Sequence, residues 1–514
     1  MRISDLLLGS VARYPEKTAI QYLNYGLTYR ELYENACRTA NALQKTGVKP
    51  GEAVCIVCRN SIEYIEIQFA ISLLGAVPAL VNWKVAPAGI LNSIRQTGAR
   101  VVFISNSEQK TISYLRSEAG DSLQLILTRY DCLIESDYAA FRDAMEPSFS
   151  AYEADPEDLG LILFTSGTTG NAKGVMVSHR AVVTQAISCM ESGGWTDEDV
   201  YLCLSPLFHS IGLTVMTLIY VGGKLVLCPS DITRRLSSIY SIATAEKITR
   251  TVLVPTLLQR LVTYMEDHDL KSDSMHFIHY GASPMSKELL ERCFRVFDCK
   301  FQQGYGMSET YGTCIVLKAE DHNTEHLLHS VGQPLPGVKV RIADDSGNEL
   351  PCGEIGEICI KTPTIMMGYL NLPEKTAAVL RDGWYYSGDM GYLDENGYLF
   401  LTGRKDDMII TGGENVYPQE VESCLLSMTD DVEAVCVVGI PDKNWGEAIA
   451  AAIVKKPGSD LDDERALKYC ADHLGRYKRP KHIMFLSSLP TTSVGKISHP
   501  DVKKLFMTSL GREK

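Results

Sequence analysis

The chain has 514 residues, more than the roughly 300 that one hydrophobic core usually supports, so we predict at least two domains. Its hydrophobic content of 45% and charged content of 22% are ordinary for a globular protein. A net charge of −13 argues against nucleic acid as a partner, because phosphate backbones are bound by basic faces, and against a general attraction to anionic membranes.

The start of the chain and its apolar runs predict a cytoplasmic protein without membrane insertion. The first 14 residues lack the apolar core of a signal peptide, and no run approaches the ~20 apolar residues of a membrane span. The 15 cysteines are scattered through apolar segments, which is typical of buried, reduced thiols. Cys55 and Cys58 have a redox spacing, but on a strand they would point to opposite faces.

The first third of the chain alternates helix-like and strand-like segments. A capping box, Thr28-x-x-Glu31, opens the first of these helices, and Asn60 is the expected N-cap of the next. The predicted elements are a helix at 28–47, a strand at 53–58, a helix at 60–72 and a strand at 101–105. This rhythm is typical of an α/β domain with mostly parallel sheets.

A loop of small hydroxyl and glycine residues follows the strand-like run Leu161–Phe164. It reads Thr165, Ser166, Gly167, Thr168, Thr169, Gly170, Asn171, Ala172, Lys173 and Gly174. Its backbone N–H groups, hydroxyls and lysine suit a polyphosphate, so we predict a nucleotide-binding loop. It is not the usual P-loop, because Ala172 and Gly174 flank the lysine. A flexible surface linker is the alternative, although linkers rarely follow a buried strand with this residue order.

Residues 165–174 closely resemble the phosphate-loop signature of the acyl-adenylate-forming family, which includes acyl-CoA synthetases, adenylation domains of peptide synthetases and firefly luciferase. The family usually has proline at the position of Ala172, and that proline would only stiffen the loop. Further matching stretches follow in family order between about 200 and 500. The resemblance implies a large N-terminal α/β domain, a small mobile α+β C-terminal domain, and an active site between them.

The segment Pro206–His209 resembles the family motif whose histidine lies beside the acyl site. His209 is therefore expected to orient the substrate or to gate passage between the two reaction steps, although a lone histidine beside phenylalanine is usually a satisfied core residue. The small-residue turn Gly281-Ala282-Ser283 matches one between the adenine and acyl pockets. The acyl pocket is predicted from His209, Ile211, Gly212, Met307 and Gly312. Its apolar wall favours an acyl or aryl tail over an amino acid.

The family's second hallmark is resembled by residues 303–310. The stretch reads Gln303, Gly304, Tyr305, Gly306, Met307, Ser308, Glu309 and Thr310. Tyr305 can stack on adenine between two glycines, and Ser308 or Thr310 can donate to the α-phosphate. Glu309 is the expected Mg²⁺ ligand, since one carboxylate together with phosphate oxygens suits that ion. Read alone, the stretch is also compatible with a turn containing a buried tyrosine, although the nucleotide interpretation is favoured.

Residues 337–403 change to the two-residue alternation of an antiparallel β unit, interrupted by Asp- and Gly-rich turns. Within it, residues 384–389 match the family motif whose aspartate binds ribose. An aspartate suits this role because a carboxylate can accept two hydrogen bonds from a vicinal diol. Asp389 is that aspartate, and Arg404 is expected to help hold the ribose or phosphate.

After Arg404 the pattern predicts a small α+β domain. Its expected elements are a helix at 418–426, strands at 434–439 and 448–454, a helix at 463–474 and a strand at 483–485. We predict an N-terminal domain at 1–404, with the β-rich subdomain at 337–403, a hinge at 405–407 and a C-terminal domain at 408–514. Asp406 occupies the family's hinge position, and Lys405 is expected to be a solvated charge. The CoA-binding face implied by the resemblance comprises Gly412, Gly413, Glu414 and Trp445.

Residues 490–497 resemble the C-terminal catalytic-lysine motif, in which Lys496 bridges the substrate carboxylate and the α-phosphate. Ser493-x-x-Lys496 also fits a penicillin-binding pattern, but the companion motifs of that class are missing. The family often has a basic residue after Gly-Lys-Ile, where this chain has Ser498 and His499. The resemblance implies two poses of the C-terminal domain, one presenting Lys496 and the other presenting the glycine face for thiol attack.

Together these motifs predict an acid–thiol ligase that uses ATP, Mg²⁺ and CoA on a small carboxylic acid, fatty or aryl. Glu309 and Thr165 are the predicted metal ligands. The alternative acceptor is the phosphopantetheine arm of a separate carrier protein. A third interpretation is a catalytically inactive binding protein, against which the joint presence of Lys496, Glu309 and Asp389 speaks. A homodimer stays open at this stage.

Overall fold

The computed structural model describes residues 1–129, 136–165, 172–209, 214–229, 231–281, 285, 287–491 and 497–511. Their packing divides the chain into two compact units. The first comprises Met1–Lys339 and Lys361–Tyr385, and the second comprises Val340–Ile360 and Tyr386–Lys514.

One sheet of the first unit is mostly parallel and carries the predicted phosphate-loop strands. Its strands are β3 (Ala53–Val57), β4 (Val77–Leu80), β5 (Val101–Ser105), β6 (Gln124–Thr128), β7 (Leu159–Thr165), β8 (Lys173–Ser178) and β18 (Gly368–Tyr369). The order is β18-β8-β7-β4-β3-β5-β6, with β8 antiparallel to both of its neighbours. A buried core that includes Val57, Ile90 and Ile94 lies between this sheet and its helices.

A second sheet of the same unit carries the predicted adenine motif. Within the unit it contains β1 (Thr18–Tyr22), β2 (Tyr25–Thr28), β9 (Val200–Cys203), β10 (Lys224–Leu227), β11 (Arg250–Leu253), β12 (Phe277–Gly281), β13 (Lys300–Met307), β14 (Gly312–Leu317) and β15 (Ser330–Pro334). Strands β1 and β9–β13 are parallel, whereas β2, β14 and β15 join antiparallel. Leu258, Ile278 and Leu290 belong to the core on one face of this sheet.

The helices of the first unit cover these two sheets. They are α1 (Ile3–Arg13), α2 (Tyr29–Lys45), α3 (Ile62–Leu73), α4 (Pro87–Thr97), α5 (Gln109–Ala119), α6 (Asp137–Asp143), α7 (His179–Gly193), α8 (Thr214–Val221), α9 (Leu236–Ala245), α10 (Pro255–Asp267), α11 (Lys287–Val296) and α12 (Pro373–Val379). No helix in the described ranges is both long and apolar enough to cross a bilayer.

The start of α3 corrects one prediction about capping. Ser61, not Asn60, is the N-cap, and its hydroxyl accepts a hydrogen bond from Tyr64 N at 3.2 Å. The Asn60 side chain instead donates to Ser205 O at 2.8 Å and accepts from Leu207 N at 2.9 Å. The Asn60 side chain therefore makes its hydrogen bonds with the loop at 205–207 and does not cap α3. The capping box of α2 is present as predicted, with Thr28 and Glu31 bonded reciprocally.

The described residues of the second unit form strands of two sheets and three α-helices. Most of β16 (Lys339–Ala343), β17 (Gly356–Lys361) and β20 (Trp384–Leu393) lies in it with all of β21 (Leu399–Arg404), and β19 (Leu380–Arg381) pairs with the start of β20. The other sheet has β22 (Ile409–Thr411), β23 (Glu414–Val416), β24 (Val432–Asp442), β25 (Gly446–Lys455) and β26 (His482–Leu486). The helices are α13 (Pro418–Leu426), α14 (Asp463–His473) and α15 (His499–Ser509).

The predicted fold class is confirmed: a large N-terminal portion of α/β sheets is joined to a smaller α+β portion, with an antiparallel β unit between them in sequence. The division of the chain by packing does not test the predicted domain boundaries at 404/405 and 407/408. Segments 340–360 and 386–404 are compact with the C-terminal residues. A hinge concerns motion rather than compactness, so the hinge at 405–407 stays a prediction.

The described cysteines are free thiols, and most are buried. Cys55 and Cys58 make separate contacts, Cys55 with Thr97 at 3.4 Å and Cys58 with Thr128 at 3.3 Å. Burial raises the pKa of both thiols to about 12. A thiol that stays protonated is a poor nucleophile, so this pair is suited to packing rather than to redox chemistry.

Candidate active site

The two strands that flank the predicted phosphate loop bring its first and last polar residues together. Thr165 ends β7, Lys173 begins β8, and the two residues are direct partners in the antiparallel ladder. The Thr165 hydroxyl donates to Lys173 O at 3.5 Å. The intervening predicted donors, Ser166, Gly167, Thr168, Thr169 and Gly170, lie outside the described residues.

A buried tyrosine connects Lys173 with the predicted metal ligand Glu309. The Lys173 ammonium lies over the ring of Tyr369, 4.9 Å from its centroid. The hydroxyl of the same tyrosine donates to Glu309 Oε1 at 2.8 Å. Tyr369 is 4% exposed. Two motifs that are 136 positions apart in sequence are thus joined through one side chain that the sequence did not single out.

The backbone around Glu309 is held by the segment that carries Tyr369. Ser308–Thr310 forms a single 3₁₀ turn. Met366 N donates to Glu309 O at 2.8 Å, and the Thr364 hydroxyl donates to Thr310 O at 2.7 Å. The 308–310 turn is therefore held through two of its backbone carbonyls, and the Glu309 side chain is held through its hydrogen bond with Tyr369.

The two candidate hydroxyls in this turn have different surroundings. Thr310 is fully buried, and its hydroxyl accepts from Met307 N at 3.1 Å and lies 2.9 Å from Gly312 O, a hydrogen-bond acceptor. Ser308 is only partly buried. Because the Thr310 hydroxyl is used within the turn, Ser308 is the better placed of the two to meet a phosphate.

The glycines of the adenine motif are required by strand packing. A Cβ on Gly306 would lie 1.9 Å from Gly312 O, and one on Gly281 would lie 2.4 Å from Gly304 O. A Cβ on Gly304 would lie 2.9 Å from the Thr313 hydroxyl. Close backbone approach between β12, β13 and β14 thus accounts for Gly281 and Gly306, and the Thr313 side chain lies against Gly304. Tyr305, the predicted adenine-stacking residue, is half-buried in β13.

His209 follows a loop that Asn60 ties to the start of α3. Its backbone N–H donates to Pro206 O at 3.1 Å, and the residue is partly buried beside the buried Phe208. Gly312, with φ +106°, and Met307 are half-buried. The other residues predicted near the acyl group, Ile211, Gly212, Ala282 and Ser283, lie outside the described residues.

In the second unit, the predicted ribose-binding residues face each other across paired strands. Asp389 of β20 and Arg404 of β21 are partners in the antiparallel register. Arg404 Nη1 donates to Asp389 Oδ1 at 2.8 Å, and Asp389 N donates to the Ser387 hydroxyl at 3.0 Å. The Asp389 side chain is mostly covered, whereas that of Arg404 is 52% exposed.

The neighbouring Glu357 was missed by sequence reasoning. One of its oxygens accepts from Gly388 N at 3.1 Å, and the other lies 3.3 Å from Lys405 Nζ. Lys405, predicted to be a solvated charge, also donates to Asp345 at 2.8 Å, and this hydrogen bond raises its pKa. Asp406 is exposed within the 3₁₀ turn Lys405–Asp407.

The predicted CoA-binding residues form one corner of the C-terminal sheet. Gly412 and Gly413, with φ of +63° and +87°, make the two-residue turn between β22 and β23. Gly412 N donates to Trp445 O at 2.8 Å, and a Cβ on Gly412 would lie 2.7 Å from the Trp445 indole. The indole is 47% exposed and carries the ammonium of Lys481 3.4 Å from its ring centroid. Glu414 is exposed at the start of β23.

Lys496 lies outside the described residues, as do residues 492–495. The residues on either side of this segment, Thr491 and Ile497, form an antiparallel bridge. Ser498, at a position where the resembled family often has a basic residue, is the N-cap of α15. Its hydroxyl donates to Asp501 Oδ2 at 2.6 Å.

Two family models match this chain, one over its N-terminal part and one over its C-terminal part. A family model described as AMP-binding enzyme matches residues 8–370, and one described as AMP-binding enzyme C-terminal domain matches residues 420–496. The first match alone spans more than half of the chain.

Similar proteins cover nearly the whole length of this chain. A fatty acid–[acyl-carrier-protein] ligase, ScoC of Streptomyces coeruleorubidus, is 31% identical over 493 residues, covering 95% of this chain and 93% of its own. A feruloyl-CoA synthase of Amycolatopsis sp. is 32% identical over 494 residues, covering 96% of each. Among solved structures, ATP-bound MatB of Rhodopseudomonas palustris has a TM-score of 0.89 at 26% identity and covers 100% of each chain.

Proposed function

This chain belongs to the AMP-binding enzyme family, and we propose that it is an ATP-dependent acid–thiol ligase that joins a carboxylic acid to CoA. The observation that carries the proposal is the contact chain Lys173–Tyr369–Glu309. It joins an ammonium and a carboxylate through one buried tyrosine, and the ammonium belongs to Lys173, which follows the hydroxyl-rich segment in the sequence.

The proposed reaction has two steps. A carboxylate oxygen attacks the α-phosphorus of ATP, pyrophosphate leaves, and an acyl-adenylate forms. The CoA thiol then attacks the acyl carbon, and AMP leaves as the thioester forms. Adenylation is needed because a free carboxylate repels nucleophiles and has no good leaving group.

In the first step the parts of the nucleotide are assigned to residues by the motifs that contain them. Lys173 and Ser308 are assigned to the phosphates, Tyr305 to adenine, and Asp389 with Arg404 to ribose. The ATP bound to the similar MatB supports a nucleotide role for this fold. Lys496, by its place in the C-terminal motif, is assigned to the meeting point of carboxylate and α-phosphate, where it offsets like charges.

The two predicted metal ligands, Glu309 and Thr165, carry oxygen atoms that fit a magnesium ion. Glu309 offers a carboxylate and Thr165 a hydroxyl, and Mg²⁺ prefers oxygen ligands completed by substrate phosphates. When bound, the ion would neutralise charge on the departing pyrophosphate.

For the second step, the turn at Gly412–Gly413 and Trp445 are proposed to admit the pantetheine arm, because they combine small residues with an indole that is 47% exposed. Glu414 borders this turn, and Asp406 is proposed as the pivot. We also propose a cytoplasmic location, which the free thiols among the described residues support. A homodimer stays a prediction.

A separate carrier protein is the second candidate acceptor. It is favoured by one observation: a relative at 31% identity over nearly the full chain is named a fatty acid–[acyl-carrier-protein] ligase. The acid is proposed to be fatty or aryl, since similar proteins are named for a fatty acid and for feruloyl-CoA.

The test is pyrophosphate release from the purified chain with ATP, Mg²⁺ and a panel of fatty, aryl and amino acids. Release with a fatty or aryl acid, followed by thioester formation on added CoA, supports the proposal. Acyl transfer only to a phosphopantetheinylated carrier supports the second candidate, and no release with any acid contradicts both.

The half-reactions separate the role of Lys496 from that of the fold. Lys496→Ala is expected to slow acyl-adenylate formation by roughly 10²–10³, the scale of losing one transition-state charge stabiliser. It should barely slow CoA transfer from supplied acyl-adenylate. Equal losses in both half-reactions would contradict the assignment of Lys496 to the first step alone.

A further inference from the structure

Tyr369 meets Lys173 and Glu309 with two different parts of its side chain. Its hydroxyl gives its single proton to Glu309 Oε1, and its ring face receives the Lys173 ammonium. One hydrogen bond uses only part of the acceptor capacity of a carboxylate, so further lone pairs stay available to a cation. A ring face attracts an ammonium without neutralising it.

This arrangement keeps two opposite charges close without pairing them. Neither Lys173 nor Glu309 takes part in an ion pair within the part of the chain that the structure describes. A direct ion pair between Lys173 and Glu309 would neutralise both side chains. Less of their charge would then be available to bind a phosphate and a metal ion. The phenol contacts both charged groups, the ammonium through its ring face and the carboxylate through its hydroxyl.

The ring itself is immobilised by its backbone and its burial. Tyr369 pairs with Val175 of β8, and its N–H donates to the Thr376 hydroxyl at 2.9 Å. Leu370 N donates to Gly174 O at 2.7 Å, immediately after Lys173. The strand that carries the tyrosine is therefore fastened to the strand that carries the lysine.

We propose that Tyr369 is a positioning residue that holds the Glu309 carboxylate and the Lys173 ammonium apart and oriented for a divalent cation–nucleotide complex. The inference rests on the proposed function, since that function supplies the nucleotide and the cation. The competing explanation is that Tyr369 only fills the core between β8 and the 308–310 turn.

The test measures binding without turnover. Mn²⁺ is titrated, by electron paramagnetic resonance, into the full chain saturated with a non-hydrolysable ATP analogue, and analogue binding is measured separately in EDTA. Tyr369→Phe keeps the ring and removes the hydroxyl. It should weaken Mn²⁺ binding roughly 10-fold, the scale of one hydrogen bond to a charged group, and leave analogue binding in EDTA unchanged.

Tyr369→Leu removes the ring as well and should weaken both. Tyr64→Phe is the matched control, because Tyr64 is also fully buried and its hydroxyl has no hydrogen-bond partner among the described residues. It should bind Mn²⁺ as the unmodified chain does. In a Glu309→Gln background, Tyr369→Phe should cause no further loss, whereas a purely packing role predicts the same loss in both backgrounds.

Incorporation of 4-fluorophenylalanine at position 369 supplies a second variant should Tyr369→Phe fold poorly. Its fluorine fills most of the volume of the hydroxyl but has no proton to donate, so Mn²⁺ binding should weaken as in Tyr369→Phe. Unaltered Mn²⁺ affinity in either folded variant overturns the proposal. Failure of the unmodified chain to bind the Mn²⁺–analogue complex would instead contradict the proposed function.

Discussion

Glu309, proposed as a ligand of the magnesium ion, and Asp389, proposed to bind ribose, are carboxylates that the protein holds in contrasting ways. In the first unit, Glu309 accepts a hydrogen bond from the neutral, buried Tyr369. In the second unit, Asp389 is paired directly with Arg404, whose side chain is half exposed. Buried hydrogen bonds to charged groups contribute about 1.5–3 kcal/mol, whereas exposed ion pairs contribute about 0–1 kcal/mol.

The difference indicates which geometry exists before a ligand arrives. The position of Glu309 is set by a covered phenol and by backbone contacts at Met366, so it is fixed in advance. Because the Arg404 side chain is half exposed, the Asp389–Arg404 pair loses little free energy when Arg404 turns to a ligand. We therefore expect the first region to act on chemistry and the second mainly on nucleotide affinity.

Replacing Glu309 should produce the largest effect. Glu309→Gln keeps an oxygen to accept from Tyr369 but loses the charge that would bind the cation, so acyl-adenylate formation should fall by roughly 10²–10³. Single-turnover pyrophosphate release measures it. The melting temperature serves as the control and should hold within a few degrees. A large rise in the KM for ATP at unchanged kcat would erase the contrast between the two regions.

Asp389→Asn should have an intermediate effect on a different parameter. The amide loses the charge-assisted contacts to a ribose diol, so the KM for ATP should rise about 10-fold while kcat changes little. Initial rates at varied ATP measure both. Comparison with 2′-deoxy-ATP sharpens the result, since the variant should discriminate less between the two nucleotides. Equal discrimination by both proteins would place the ribose elsewhere.

The smallest effect concerns a carboxyl that the proposed reaction does not use. Glu422 of α13 accepts from Val437 N at 2.8 Å, and burial, followed by the charge of Asp407, keeps its pKa at about 7. The groups facing it include Cys436 and His499, with ligand atoms within 4.8 Å of one another.

Because the folded-state pKa of Glu422 lies above the ordinary value of 4.5, its stabilisation is complete below that value and is lost as the pH rises through about 7. Part of its surface is accessible, so we expect a loss of about 1 kcal/mol between pH 5 and 8. Hydrogen exchange of peptides covering 432–455 measures it in the full chain. Glu422→Gln, which does not titrate, should lack this dependence, and an identical dependence in the variant would assign it to another group.

Features that depend on neighbours in sequence were predictable, and those that depend on distant contacts were not. The capping box at Thr28 and the two-residue alternation within 337–403 each depend on residues close together in the sequence. Asn60 and Ser61 are both good capping residues, and only the distant Ser205 and Leu207 decide between them. Nothing in the sequence ranks one above the other.

The same reasoning applies to the candidate site. The motifs around Lys173 and Glu309 were visible because loop chemistry is local. Tyr369 was not, because its contact with Glu309 spans 60 positions and arises only when β18 pairs with β8. Lys481 likewise meets Trp445 through the folding of the C-terminal sheet. A tyrosine after Gly368 reads as an ordinary strand residue until that pairing is known.

The glycine contacts between β12, β13 and β14 bear on any attempt to redesign which acid is accepted. Gly281, Gly304 and Gly306 face backbone or a neighbouring threonine at distances where even a methyl group would collide. A substitution at Gly281 or Gly306 would therefore require a strand to shift, and one at Gly304 would require the Thr313 side chain to move. Diversity is better directed to Met307, which the sequence predicts in the acyl pocket and whose side chain is only partly covered.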